Sequence, residues 1–170
     1  MPQILLILAL TLLNAQVRDF AAGSVAMTVA CERGPTQRLV VTVTNTGTSD
    51  TASVLGTVLG NGRTYMVQGL TLSVERSGRQ TTSYDYRPRR YPAVVAGTIS
   101  EWIEPFPTQA SYVMHAESSD FWGLSEWPDE AQVSLTWQIH APQTSGIPVT
   151  TFWTGTLQSN RIRLPAQCKN

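Results

Sequence analysis

From Ser24 onward, apolar and polar residues alternate in short runs separated by clusters of Gly, Pro, Asn or Ser, the period-2 signature of half-buried strands. In residues 39–44, Leu39, Val41 and Val43 fall on one face and Thr42 and Thr44 on the other. In residues 133–140, Val133, Leu135, Trp137 and Ile139 face inward, and Ser134, Thr136, Gln138 and His140 face outward. The same reading predicts strands over 24–30, 38–44, 53–59, 63–67, 71–75, 80–86, 93–99, 111–115, 132–140, 149–153 and 155–164. The last run turns Ile162 and Leu164 inward and Arg161 and Arg163 outward before Pro165. Asn61-Gly62 supplies the positive φ angles of a type I′ turn, so the runs on either side of it are expected to pair. Asn45-Thr46-Gly47-Thr48-Ser49-Asp50 breaks the alternation with residues that bond their own backbone or accept left-handed angles, and predicts an exposed turn. No run has the helical period, and the expected fold class is an all-β antiparallel sandwich.

The N-terminus follows a different pattern. Residues 4–13 are a leucine-rich apolar run, shorter than the roughly 20 residues a spanning helix needs. Followed by Asn14-Ala15-Gln16, the run reads as a secretory signal peptide, cleaved after Ala15 or after Ala21 or Ala22, although Met1-Pro2-Gln3 carries no Lys or Arg. The alternatives are a buried first strand or an uncleaved anchor, and the leucine richness argues against the strand. The organisation predicted is a leader over 1–22 and a single domain over 23–170. The expected location is secreted, periplasmic or cell envelope, with no transmembrane span in the mature chain. In such an oxidising compartment Cys31 and Cys168, near the two ends of the mature chain, are expected to form a disulfide that adds about 5 kcal/mol on the chain-entropy model. Neither lies in a CxxC pair or at a metal-ligand spacing, so no metal or other cofactor is expected.

Composition narrows the function. Twelve Lys+Arg balance twelve Asp+Glu, so the chain has no net positive charge with which to neutralise a nucleic-acid backbone, and no nucleic-acid partner is expected. Charged residues are only 14% of the chain and hydrophobic ones 42%, which excludes a charged disordered polymer. No Gly-x-Ser-x-Gly elbow, Walker loop or Gly-x-Gly-x-x-Gly opening a helix occurs. The reading is a non-enzymatic module.

Residues 41–50, VTVTNTGTSD, resemble the hallmark of bacterial immunoglobulin-like modules, including the cell-adhesion-related domain found in bacteria, with similar strand order over about residues 24–97. Residues 152–164, FWTGTLQSNRIRL, resemble the closing strand pair of secreted bacterial β-sandwich proteins. The resemblance implies an immunoglobulin-like sandwich acting as a spacer, an adhesion module or a ligand-binding accessory, with no catalytic residues to carry over. The chain departs from that pattern by an aromatic and acidic insertion over about 100–130.

That insertion, read as a pair of long loops, holds the candidate chemistry. Residues 101–160 contain Glu101, Glu104, Glu117, Asp120, Glu126, Asp129 and Glu130 and no Lys or Arg, whereas residues 16–100 contain nine Arg against five acids. Such a division favours a charged partner or self-association through opposite charges, unless the two halves interleave and pair locally. Trp102, Trp122 and Trp127 beside Glu117 and Asp120 form a candidate sugar platform, in which ring faces stack on a pyranose and acids accept its hydroxyls. The alternative is a satellite core beneath the loop. A carboxylate hydrolase would use Glu101 with Glu104 or Asp120 with Glu126. His115 with Glu117 and Asp120 matches no strong ligand motif. Arg87, Arg89 and Arg90 form a local cationic patch or a solvated turn. The partner expected is an unknown protein or glycan.

Overall fold

A computed structural model describes residues 24–32, 36–58, 65–76, 80–87, 100–143, 152–164 and 168–169. The predicted leader, the strand predicted over 93–99, most of that over 149–153, Arg89, Arg90 and the Asn61-Gly62 turn lie outside them. The chain is nearly all β. The strands in order are β1 (Val25–Glu32), β2 (Arg38–Asn45), β3 (Thr51–Val58), β4 (Tyr65–Val67), β5 (Leu70–Arg76) and β6 (Gln80–Asp85), then β7 (Ser100–Phe106), β8 (Ser111–Ala116), β9 (Ala131–Ile139), β10 (Gly155–Gln158), β11 (Ile162–Arg163) and β12 (Cys168–Lys169). They form sheets in the orders β12-β1-β2-β8, β4-β3-β7 and β10-β9-β5-β6, with β11 also paired to β9. The strand pairs are antiparallel except β1 with β12.

Alternation makes the core. In β9, Ala131, Val133, Leu135, Trp137 and Ile139 are buried, while Gln132 and Gln138 are exposed. β1, β2 and β5 repeat the pattern, and their inner residues join those of β9 and Phe106, Phe121 and Trp153 in one hydrophobic cluster. Burying each large apolar side chain stabilises by about 1.5–3 kcal/mol, so this shared interior holds the layers together. β3 and β4 pair as expected, with Val58 opposite Tyr65. Among the described residues the only helical turn is a 3-10 turn over Ser118–Asp120, and no helix is long and apolar enough to cross a membrane.

The structure corrects the sequence reading at three places. Residues 100–106, expected as loop, are strand β7: Trp102 and Phe106 turn into the core, and Pro105 is tolerated because β7 lies at the end of its sheet in the described order. The single run over 155–164 is two strands, because residues 159–161 stand against only residues 134–135 of β9, and there the Asn160 side chain bonds β1 instead. Its Oδ1 accepts the Val29 N–H at 2.8 Å and its Nδ2 donates to the Val29 carbonyl at 3.0 Å. The third correction is Asn45, which is fully buried instead of sitting in an exposed turn. Its Nδ2 donates to the carbonyls of Ser49 and Phe106, each at 2.9 Å, and its Oδ1 accepts the Gly47 N–H at 2.9 Å. One amide thereby ties the end of β2 to the following turn and to the end of β7.

A buried amide with every donor and acceptor engaged is costly to remove. Asn45→Ala is expected to destabilise the protein by roughly 3 kcal/mol, since the donors and acceptors it leaves behind lose their partners. Thr48→Ala, in the exposed part of the same turn, is expected to change stability by less than about 0.5 kcal/mol. Urea unfolding of the two variants checks the contrast.

Candidate functional site

The structure separates the three tryptophans. Trp102 is 8% exposed, edge-on to Tyr65 at 4.9 Å and to Tyr112 at 5.5 Å, and its Nε1 donates to Glu104 at 3.1 Å. Trp127 is half-buried, edge-on to Phe121 at 6.0 Å, and its Nε1 donates to the Gln37 carbonyl at 2.7 Å. Only Trp122, 68% exposed, presents an open ring. The platform expected from three indoles is therefore one exposed indole and two packed ones.

Glu117 and Asp120 do not stand ready for a ligand either. They form a reciprocal capping box around the 3-10 turn: Asp120 Oδ2 accepts the Glu117 N–H at 2.9 Å, and the Glu117 side chain accepts the N–H of Asp120. Thr36 also donates to Glu117 at 3.3 Å. Their part is to hold the turn that delivers Trp122. Other acids of the insertion likewise hold backbone or indole donors, Glu101 accepting the Gln143 N–H at 2.6 Å. Among the described residues Arg38 pairs with Glu32 at 2.8 Å and Arg161 with Glu75, 86 residues away in the chain, at 3.4 Å. His115 lies 4.0 Å from Glu32, and no group of three metal-ligating side chains occurs among the described residues.

What places Trp122 is a short strand-like pairing. Tyr86 and Phe121 form an antiparallel bridge with their rings edge-on at 5.5 Å. On either side of it the Arg87 N–H reaches the Asp120 carbonyl at 2.7 Å and the Trp122 N–H reaches the Asp85 carbonyl at 2.8 Å. Because Tyr86 and Phe121 pack inward, their neighbours Asp85, Arg87 and Trp122 turn outward. The Arg87 guanidinium carbon lies 6.0 Å from the Trp122 ring centre, at the outer limit of a cation–π contact. Two residues from separate predicted features, the cationic patch and the aromatic insertion, thus share one spot.

From that spot a row of polar side chains crosses the sheet. Trp122 stands opposite Asp85, Asp85 opposite Thr71 of β5, Thr71 opposite Thr136 of β9, and Thr136 opposite Gln158 of β10. A second row runs Ser83, Ser73, Ser134. Thr71, Ser73, Ser134 and Thr136 are half-buried while Asp85, Ser83 and Gln158 at the margins are exposed, so the face is a shallow trough. Two depressions that share Ser73 and Thr136 occupy it, one of 920 Å³ toward Asp85, Tyr86 and Arg87 and one of 230 Å³ toward Gln158 and Arg161. The alternation had turned Ser134, Thr136 and Gln138 outward, but Thr71, Ser73, Ser83 and Asp85 were not recognised as their neighbours, because the signal for them is strand pairing.

A second hollow of 550 Å³ is lined by Val58, Tyr65, Glu101, Trp102, Ile103, Glu104 and Tyr112. Glu101 and Glu104 both line it, each already accepting a hydrogen bond. Comparison with known proteins finds no family model, no curated protein and no solved structure that matches this chain.

The two indole environments predict opposite responses. Trp102→Ala is expected to cost about 3–5 kcal/mol of stability, and Trp122→Ala less than about 0.5 kcal/mol. Thermal unfolding of both variants tests the assignment of Trp122 as an available ring.

Proposed function

We propose that this chain is an exported, non-enzymatic binding module of the cell envelope with an immunoglobulin-like sandwich, and that it engages its partner at Trp122 and the polar row beside it. The observation that carries the reading is a 68% exposed indole on a backbone held by main-chain hydrogen bonds, indole being among the side chains enriched at binding hot spots. A large aromatic ring on a backbone that is already fixed costs little in backbone ordering when a partner covers it.

Export and the disulfide belong to the same reading. The Cys31–Cys168 bond is supported by the register, which sets these residues opposite each other in β1 and β12, and by the absence of a free cysteine among the described residues. Adjacent strands lie about 4.8 Å apart, within the roughly 4.4–6.8 Å Cα separation a disulfide accepts. The bond would join the first strand to the last.

Two measurements test the proposal. Intact-mass analysis of the chain expressed with its leader in a secreting host, under non-reducing conditions, is expected to show a start after Ala15, Ala21 or Ala22 and no alkylatable thiol. A product that keeps Met1 and two free thiols refutes the export reading. Cosedimentation with an envelope fraction of the producing cells is expected to retain the native chain and to lose Trp122→Ala, and equal retention of both refutes the binding site.

A further inference from the structure

Resting on that reading, we infer that the partner is a neutral, linear polysaccharide that lies across the strands of the β10-β9-β5-β6 face, its end or bend stacked on Trp122. Chemistry comes first. The trough is lined by hydroxyls and amides, from Thr71, Ser73, Ser83, Ser134, Thr136 and Gln158, and each such group both donates and accepts. A sugar hydroxyl has the same dual character, so a polyhydroxylated chain can exchange its water hydrogen bonds for these without leaving a donor or acceptor unpaired. A protein segment laid on the same side chains would have its own backbone groups to satisfy, and the outward face of a sheet offers no backbone edge for them.

Charge comes second. The carboxylates of the trough, Glu75 and Asp85, are matched by the guanidiniums Arg87 and Arg161, and Glu75 with Arg161 is already an ion pair. Among the described lining residues the charges therefore balance and select neither a polyanion nor a polycation. The two charged pairs lie at opposite ends, where they can bond hydroxyls, and leave the middle neutral.

Spacing comes third. The row from Trp122 through Asp85, Thr71 and Thr136 to Gln158 places one polar or aromatic side chain per strand, at about 4.8 Å intervals. That interval is close to the length of one pyranose ring along a linear chain. Over the row it spans roughly 19 Å, room for about four sugars. The indole at the rim gives the apolar ring face its partner, and the half-buried middle with exposed margins suits the interior of a chain more than a small molecule.

The experiment is isothermal titration of the full mature chain with neutral β-glucan, mannan and galactan oligosaccharides from disaccharide to octasaccharide, with heparin fragments as the polyanionic control. One neutral series is expected to bind with affinity rising with length and levelling off at about four or five sugars. Heparin is expected to bind at least tenfold more weakly. The double variant Ser73→Ala, Thr136→Val removes two hydroxyls from the middle of the trough with little change in volume, and is expected to weaken binding at least tenfold while keeping the native melting temperature within a few degrees. Absence of binding by every neutral series, no dependence on length, tighter binding of heparin, or native affinity in the double variant overturns the inference. The length series uses the unaltered chain and so decides the question even if the variant misfolds. Envelope retention that depends on Trp122, with no neutral oligosaccharide bound, leaves the binding module standing and removes only its glycan ligand.

Discussion

The register of β5 against β9 is the constraint on which the outer face depends. Leu70, Leu72 and Val74 face Trp137, Leu135 and Val133 in the core, so Thr71 and Ser73 must face Thr136 and Ser134 outside. A slip of one residue would bury the hydroxyls and expose leucines and an indole, at a cost of several kcal/mol for each misplaced side chain. Contacts at the end of the pair pin it further: Trp137 Nε1 donates to the Gln68 carbonyl at 2.7 Å, and the Gln138 N–H to the Gly69 carbonyl at 2.9 Å. Gly69 has φ +72°, and a Cβ there would meet the Gln138 carbonyl oxygen at 2.4 Å, so glycine is what allows the close approach.

Around this pair, side-chain amides do work that backbone would do in a more regular sheet. Asn160 pairs with Val29 as a neighbouring strand residue would, and connects the β10-β11 turn to β1. Asn45 closes the opposite junction by joining β2 to the end of β7. Asn45 is fully buried, where backbone groups at the strand ends would otherwise be left without water, whereas Asn160 is exposed. The sheets are thus held together by apolar packing in the middle and by side-chain amide bonds at the junctions.

The aromatic and acidic insertion divides its residues between support and presentation. Phe121 and Trp127 pack inward, Glu117 and Asp120 cap the turn, and of the insertion's tryptophans Trp122 alone is left in water. Gly123, with φ +83°, lets the chain turn away directly after that ring. Glu117 and Asp120, singled out in the sequence as ligand acids, act on their own backbone, and the surface that the geometry favours for a ligand lies mostly on strands that looked like plain scaffold.

The all-β class, the inward faces of β2 and β9, and the β3-β4 pairing were legible in the sequence, because alternation and turn chemistry act over a few neighbouring residues. Strand β7 was not legible, since a segment with Pro105 and closely spaced acids carries no clean period. Asn45 looked like any turn asparagine, and nothing nearby in the chain says that the carbonyl of Phe106 would come to meet it. The row from Trp122 to Gln158 draws on five separate segments, and which of them lie side by side is settled by strand pairing over long distances in the chain. Local periodicity decides which way a side chain points; only the packing of the whole molecule decides what it points beside.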